Sequence, residues 1–235
     1  MAYVAVQFLA KMVNSIPATL HTASPAKLPF PASTALVFGI LFALVAVIVM
    51  AKGLSKHKQT TEAWAKGARG EQVVAQRLAR DLPNGVVLIH DRTVPGGRAN
   101  IDHIAVGPAG IFILDAKNMS GRVEARSTGP IWNRGPVKLF VRGRDRSQLI
   151  DGMQWQVAAV QMALGNLIES YGVKINPMIV FVGAQWGVFT RPMSIRGVWV
   201  GWPKKAAEVV GQRGPLPLET IRRISATLVD RLPPA

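Results

Sequence analysis

Asp102, Asp115 and Lys117 stand at spacings that can bring two carboxylates and an ammonium together. They lie in two apolar runs, Asn100 to Val106 and Ile111 to Asn118, separated by Gly107-Pro108-Ala109-Gly110, which reads as a β-hairpin with a four-residue loop. With that loop Val106 pairs with Ile111, and Asp102 falls directly opposite Asp115. Lys117, two residues further on, points to the same face, because strand side chains alternate with period two. Opposed residues in an antiparallel pair sit roughly 4.5–5.5 Å apart at Cβ, where like charges are destabilising. A divalent cation would resolve that repulsion. The alternative is that Lys117 pairs with one acid while the other is solvated at the strand end. The hairpin alone leaves the two readings level.

The elements around the hairpin decide what else can reach it. A helical pattern runs from Glu62 to Leu82 and stops at Pro83-Asn84-Gly85, with Val74, Ala75, Leu78 and Leu82 as its buried stripe. Glu71, one turn before Ala75, joins this core-facing stripe. A carboxylate there needs a partner or a metal, although interaction with the helix dipole, Arg69 or Lys66 is the simpler reading. Gly67 and Gly70 permit close packing of the helix. Val86 to His90 is a strand and Thr93 to Ala99 a loop; Asn118 to Gly121 is a turn before a third hairpin strand, Arg122 to Ala125. A second helix spans Gln148 to Tyr171, with Val157, Val160, Ala163, Leu164 and Leu167 on its apolar side and Gln154 near its start. Strands at Ile175 to Val182 and Gly197 to Trp202, then helices at Lys204 to Val210 and Leu218 to Leu232, complete the chain.

There is no cysteine, which removes disulfides, cysteine-ligated zinc and thiol catalysis. All 13 acids lie after residue 51, with 26 of the 28 basic residues, so that part of the chain suits a polyanion or an anionic surface. Residues 34–51 carry no charge and, extended at the front from Pro31, approach the roughly 20 residues of a spanning helix. They are read as one transmembrane helix in preference to a buried soluble helix or a cleaved signal peptide. Lys52, Lys56, Lys58, Lys66 and Arg69 follow it, against two lysines before it, which puts the C-terminal part on the cytoplasmic side of a cell membrane. The expected organisation is thus a segment of undecided structure (1–33), the span (34–51), a basic tether (52–61), a main domain (62–185) and its closing strand and helices (186–235).

Arg122, Arg126, Arg134, Lys138, Arg142, Arg144 and Arg146 are interleaved with Trp132 and Phe140. Basic and aromatic residues on turn-rich strands suit a phosphate backbone. A solvated basic loop, or one resting on anionic lipid, is nearly as good a reading.

Gly67-x-x-Gly70-Glu71 on a first helix, then Ile101-Asp102-His103-Ile104, then Gly110-Ile111-Phe112-x-Leu114-Asp115-x-Lys117-Asn118 with Gly121 following, resembles the NERD (nuclease-related domain) family over about residues 64–185. That family looks like a branch of the PD-(D/E)xK nucleases. The resemblance implies an α/β restriction-endonuclease-like core, a mixed sheet flanked by helices. It implies that Glu71, Asp102 and Asp115 surround magnesium (or manganese), that Lys117 positions or activates water, and that Gln154 stands for the family's glutamine on the following helix. Asp115 is a shorter ligand than the family's frequent glutamate, and Asp151-Gly152 replaces a common proline-containing turn. The implied partner is nucleic acid, DNA before RNA. Hard oxygen ligands independently suit magnesium. His103 points away from Asp102 and reads as a packing histidine. A non-cleaving nucleic-acid-binding or scaffolding protein with the same fold is the alternative to a membrane-tethered nuclease, and a basic domain resting on lipid is a third.

Overall fold

The hairpin expected between residues 100 and 118 forms, as the middle of a larger sheet. The computed structural model describes residues 32–94, 100–129, 135–187 and 190–235, and within 32–60 it describes side chains only for residues 45–50. The strands are β1 (Val87–Thr93), β2 (Asn100–Gly107), β3 (Gly110–Ser127), β4 (Val137–Val141), β5 (Arg144–Asp145), β6 (Ile175–Gln185), β7 (Met193–Ile195) and β8 (Val198–Gly201). The helices are α1 (Ala32–Asp81), α2 (Gln148–Leu164), α3 (Leu167–Tyr171), α4 (Pro203–Val210) and α5 (Leu218–Arg231). Residues from Thr60 onward make one compact unit, separate from the stretch ending at Gln59.

The main sheet runs β1-β2-β3-β6-β8-β7 and is mixed. β2 is antiparallel to β1 and β3; β6 is parallel to β3 and β8; β7 is antiparallel to β8. β4 pairs with the distal half of β3 and carries β5. Strands covered on both faces read as unbroken apolar runs, and Met178 to Phe181 of β6 are almost fully buried.

Each face of the sheet has its own core. On one face Ala105, Phe112, Leu114, Ala116, Met178 and Val180 meet Val74 and Leu78 of α1 and Ala206, Ala207 and Val210 of α4. On the other face Ile104, Val106, Ile111, Ile113, Ile179 and Phe181 meet Ile150, Met153 and Val160 of α2 and Ile221, Ile224 and Leu228 of α5. The result is a mixed sheet between two helical layers. The C-terminal residues cover the outer edge of β1, with the Thr93 N–H donating to Pro233 at 2.9 Å and the Ala235 N–H to Asp91 at 3.1 Å, so that edge is not left open for pairing.

Val106 pairs with Ile111 as expected, but Gly107 also pairs with Gly110, leaving only Pro108 and Ala109 as the loop. Residues 118–121 are not a turn. β3 continues through them with a register shift against β6 between Asn118 and Gly121, because Gly121, at φ +103°, absorbs the irregularity as a bulge. Arg122 to Ala125 therefore belong to the same strand. The expected helix 148–171 is divided, since Gly165 adopts a positive φ and ends α2.

Residues 52–61, expected as a tether, lie within helix α1, their three lysines, Leu54 and Gln59 being compatible with helix. The expected span 34–51 also falls in α1, but most of its side chains lie outside the described residues, as do residues 1–30 entirely. Among the described residues no helix is long and apolar enough to cross a membrane.

Candidate active site

The β2–β3 ladder delivers the two aspartates. His103 opposes Leu114, so Asp102 and Asp115 occupy the next register position and share the face covered by α2. Asp115 is buried, at 6% exposure, and its Oδ1 accepts from Lys117 Nζ at 2.5 Å. Asp102 Oδ2 accepts from the main-chain N–H of Ala116 at 2.9 Å. Among the described residues Asp102 Oδ1 and Asp115 Oδ2 have no hydrogen bond.

These groups open into a cavity of about 380 Å³ whose walls are Asn100, Asp102, Asp115 and Lys117 on the sheet side and Gln148, Leu149, Gly152, Trp155 and Gln156 on α2. Burial, and next the nearby charge of Asp115, push the Asp102 carboxyl up to about 7. The Ala116 N–H and Lys117 oppose that rise, and the charge of Glu71 adds to it. On the opposite face His103 is buried beside His90, their Nδ1 atoms 2.9 Å apart, with ring centroids 5.0 Å apart and nearly perpendicular. Burial first, then His90, lowers its pKa to about 4. It is a packed neutral histidine, as expected.

Two expected site residues do not line the cavity, although Glu71 is near enough for its charge to act on Asp102. Glu71 is exposed and does not line the cavity. The inward stripe of α1 is Gly70, Val74 and Leu78, spaced by four, and Glu71 sits about 100° round the helix from Gly70. Gly70 occupies the contact because a Cβ there would come within 2.8 Å of Asn118 Cβ. Gln154 is likewise exposed, whereas Gln156, two residues on, is 9% exposed and faces the site. Its Oε1 is buried without a hydrogen-bond partner. The sequence carried a signal for it, because Ile150, Met153 and Val160 place residue 156 inside the buried stripe and an amide there is out of character. Trp155, with 42% exposure, was not singled out either.

The basic residues separate into two groups. Glu124 pairs with Arg122 at 3.0 Å and with Arg126, and Arg126 also lies over the Phe140 ring at 5.0 Å. Lys138 bonds Asp145 at 2.9 Å; hydrogen bonds from Ser147 and then Lys138 hold that carboxyl below its ordinary range. Among the described residues Arg142, Arg144 and Arg146 have no carboxylate partner, and Arg134 lies outside them.

This arrangement sits in a recognisable frame. Residues 66–182 match NERD, the nuclease-related domain. An uncharacterized protein of Bacillus anthracis is 28% identical over 99 residues, an alignment covering 41% of this chain and 46% of that relative, so the chain spans less than half of the relative's length. No solved structure matches.

The donor set within the residues that match NERD suits a hard divalent cation. Asp102 and Asp115 each keep a free carboxylate oxygen, and Gln156 Oε1 is an unmatched oxygen in the same cavity. Magnesium commonly takes only one or two carboxylates and completes its shell with water and phosphate. Among the described residues no three His, Asp or Glu side chains are grouped to hold a metal. The two aspartates and the amide are the oxygen donors on the cavity wall that could hold such an ion, and Glu71 reaches Asp102 through its charge.

Proposed function

We propose that the chain is a metal-dependent nuclease that hydrolyses phosphodiester bonds of nucleic acid, DNA before RNA. The observation that carries this reading is the convergence of Asp102, Asp115, Lys117 and the unmatched Gln156 oxygen on one cavity of a NERD domain. Magnesium or manganese would be held by Asp102 and Asp115, with Gln156 as a neutral third oxygen. When bound, the cation lowers the pKa of water and offsets charge on a phosphodiester oxygen.

The protein's own residues prepare that chemistry. The Ala116 N–H fixes one oxygen of Asp102 and leaves the other free to bind. Asp115 anchors Lys117 through one contact, and an ammonium has three donors. The remaining N–H groups of Lys117 can hold the attacking water or a phosphate oxygen where negative charge builds. A non-cleaving nucleic-acid-binding protein is the second reading, favoured by one observation: Lys117 is already bonded to Asp115.

The same proposal tethers the domain to a membrane through residues 34–51, with the domain on the cytoplasmic side. The uncharged sequence supports this, as do Val45, Val47, Ile48, Val49 and Met50, each at least 50% exposed. Such a run of bare apolar side chains is unusual on a surface in water.

The test is cleavage of linear, circular and single-stranded DNA and of RNA by the full-length protein, with magnesium and with chelator. Metal-dependent cutting is expected, abolished by Asp115→Ala and Lys117→Ala with binding retained. Binding without cutting would establish the second reading, and cutting by both variants would refute the site. Recovery of the full-length protein in the soluble fraction without detergent would refute the tether.

A further inference from the structure

Three cavities are lined by neighbouring stretches of the basic part of the domain, and two of them share walls. Lys117 and Gln148 line the catalytic cavity, while Asn118 and Arg146, one and two residues away in the chain, line a second cavity of about 390 Å³. Ser120 and Arg142 belong to that second cavity and also to a third, of about 610 Å³, which includes Arg122, Arg126 and Gln185. Lys117 and Asn118 are consecutive on β3, and Arg146 stands two residues before Gln148, so the second cavity begins within two residues of the catalytic one and continues into the third.

Charge is uneven along these cavities. The second cavity takes Lys66, Arg142, Arg144 and Arg146 and no acid. In the third, Glu124 pairs with both Arg122 and Arg126. Positive charge without a carboxylate partner is thus concentrated beside the catalytic cavity, where phosphates flanking a scissile bond would lie.

The turn that presents Arg142 is not built for economy of folding. Val141 pairs with Arg144 around Arg142 and Gly143, with φ +54° and +72°. Asn, Asp or Gly is favoured at the first of these positions. Directly against it, a Cβ on Gly121 would come within 2.9 Å of Arg142 Cβ. A left-handed arginine packed against a glycine is a strained way to hold a guanidinium at the second cavity.

At the far wall of the catalytic cavity stands the half-exposed indole of Trp155. A flat aromatic face on the wall of the cleft offers a stacking surface, but only to a base removed from its own stack.

We propose that the domain takes nucleic acid as a single strand, its phosphates seated in the Lys66, Arg142, Arg144 and Arg146 cavity and one base stacked on Trp155. This rests on the nuclease-related reading above and specifies its substrate. A fully paired duplex would then be held by its phosphates alone.

The experiment measures binding of full-length protein in mild detergent, with chelator present to prevent cleavage. One labelled oligonucleotide is used single-stranded and as its duplex. The single strand is expected to bind at least tenfold more tightly. Trp155→Ala should weaken single-strand binding roughly 5- to 100-fold with duplex binding unchanged, and Trp155→Phe should restore most of it. Arg142→Gln with Arg144→Gln should weaken binding and reduce the dependence of log affinity on log salt by roughly 0.7 for each contact removed. Equal affinity for the two forms, or equal weakening of both by Trp155→Ala, would overturn the single-strand path and leave the nuclease reading standing. Absence of binding to either form would overturn both. Displacement of the oligonucleotide by short-chain phosphatidylglycerol at equal phosphate concentration would assign the arginine cavity to lipid and overturn the proposal.

Discussion

Asp102 and Asp115 face each other one register position beyond the His103–Leu114 pair, yet only Asp115 is bonded to Lys117. The repulsion between them therefore falls on Asp102. Burial and the Asp115 charge raise its pKa from 3.8 to about 7, so between those values the folded chain holds a proton that the unfolded chain has released. This contribution to stability is fully present below pH 3.8, falls through the window and is lost above about pH 7. Asp102→Asn should thus stabilise the metal-free protein at pH 8, with a ceiling of about 4 kcal/mol at roughly 1.4 kcal/mol per pH unit, and change little at pH 4. His103 works in the opposite sense. With a folded pKa of about 4 against 6.5 unfolded, its contribution is lost as pH falls from 6.5 to 4. The two cancel over much of that range in the native chain, and Asp102→Asn should unmask the acid loss. Urea unfolding from pH 4 to pH 8 measures both effects; a gain that is equal at every pH would contradict the assignment.

A cation bound by both aspartates competes with that proton. Magnesium or manganese should raise the melting temperature more at pH 8 than at pH 5, because ligand deprotonation is part of binding. At a hundredfold excess over the dissociation constant the gain is about 2.7 kcal/mol. Asp102→Asn and Asp115→Asn should each remove it, while Glu71→Gln should retain most of it. Thermal melts with and without cation decide this, and loss of the effect in Glu71→Gln would restore Glu71 to the ligand set.

The contact of α1 with β3 sets where the basic cavity begins. Gly70 lies against Asn118, whose Nδ2 donates to the Lys66 carbonyl at 2.8 Å. Alanine at 70 would bring a Cβ within 2.8 Å of Asn118 Cβ. Such overpacking costs about 1–3 kcal/mol, against a gain in helix propensity of up to about 1 kcal/mol. Gly70→Ala should therefore be destabilising on balance and Gly70→Val more so, whereas alanine at Gly67, which has open space around it, should be neutral or stabilising. Denaturant midpoints for the three variants provide the check.

What could be read from residue order was what depends on short-range periodicity. Two apolar runs around Gly107 to Gly110 fixed the Val106–Ile111 register, and with it the facing aspartates and Lys117. The almost wholly apolar run from Ile175 to Val182 marked an interior strand. Positions that depend on rotation about a helix axis were missed. Glu71 and Gln154 are each one or two residues from a buried position, and on a helix one residue is 100° of rotation. The close approach at Gly70 and the pairing of Glu124 with two arginines are tertiary facts that no local pattern carries. The bulge at Asn118 to Gly121 was taken for a turn because asparagine, serine and glycine have the same composition in either setting.

Gln156 offers the sharpest separation of function from structure, because the two respond with opposite sign. Its Oε1 is buried without a partner, and an unmatched buried polar group costs about 1–3 kcal/mol. Gln156→Leu removes that cost, keeps nearly the same volume and lies among Met153 and Val160 of the apolar stripe, so the metal-free protein should gain stability by a similar amount. If the oxygen is held for a cation, the same change should weaken cation binding at least tenfold and lower cleavage accordingly. Gln154→Leu, on the exposed side of α2, should do neither. Denaturation and cation titration of the two variants side by side provide the measurement. A Gln156→Leu protein that is less stable and binds the cation normally would show the amide to be structural.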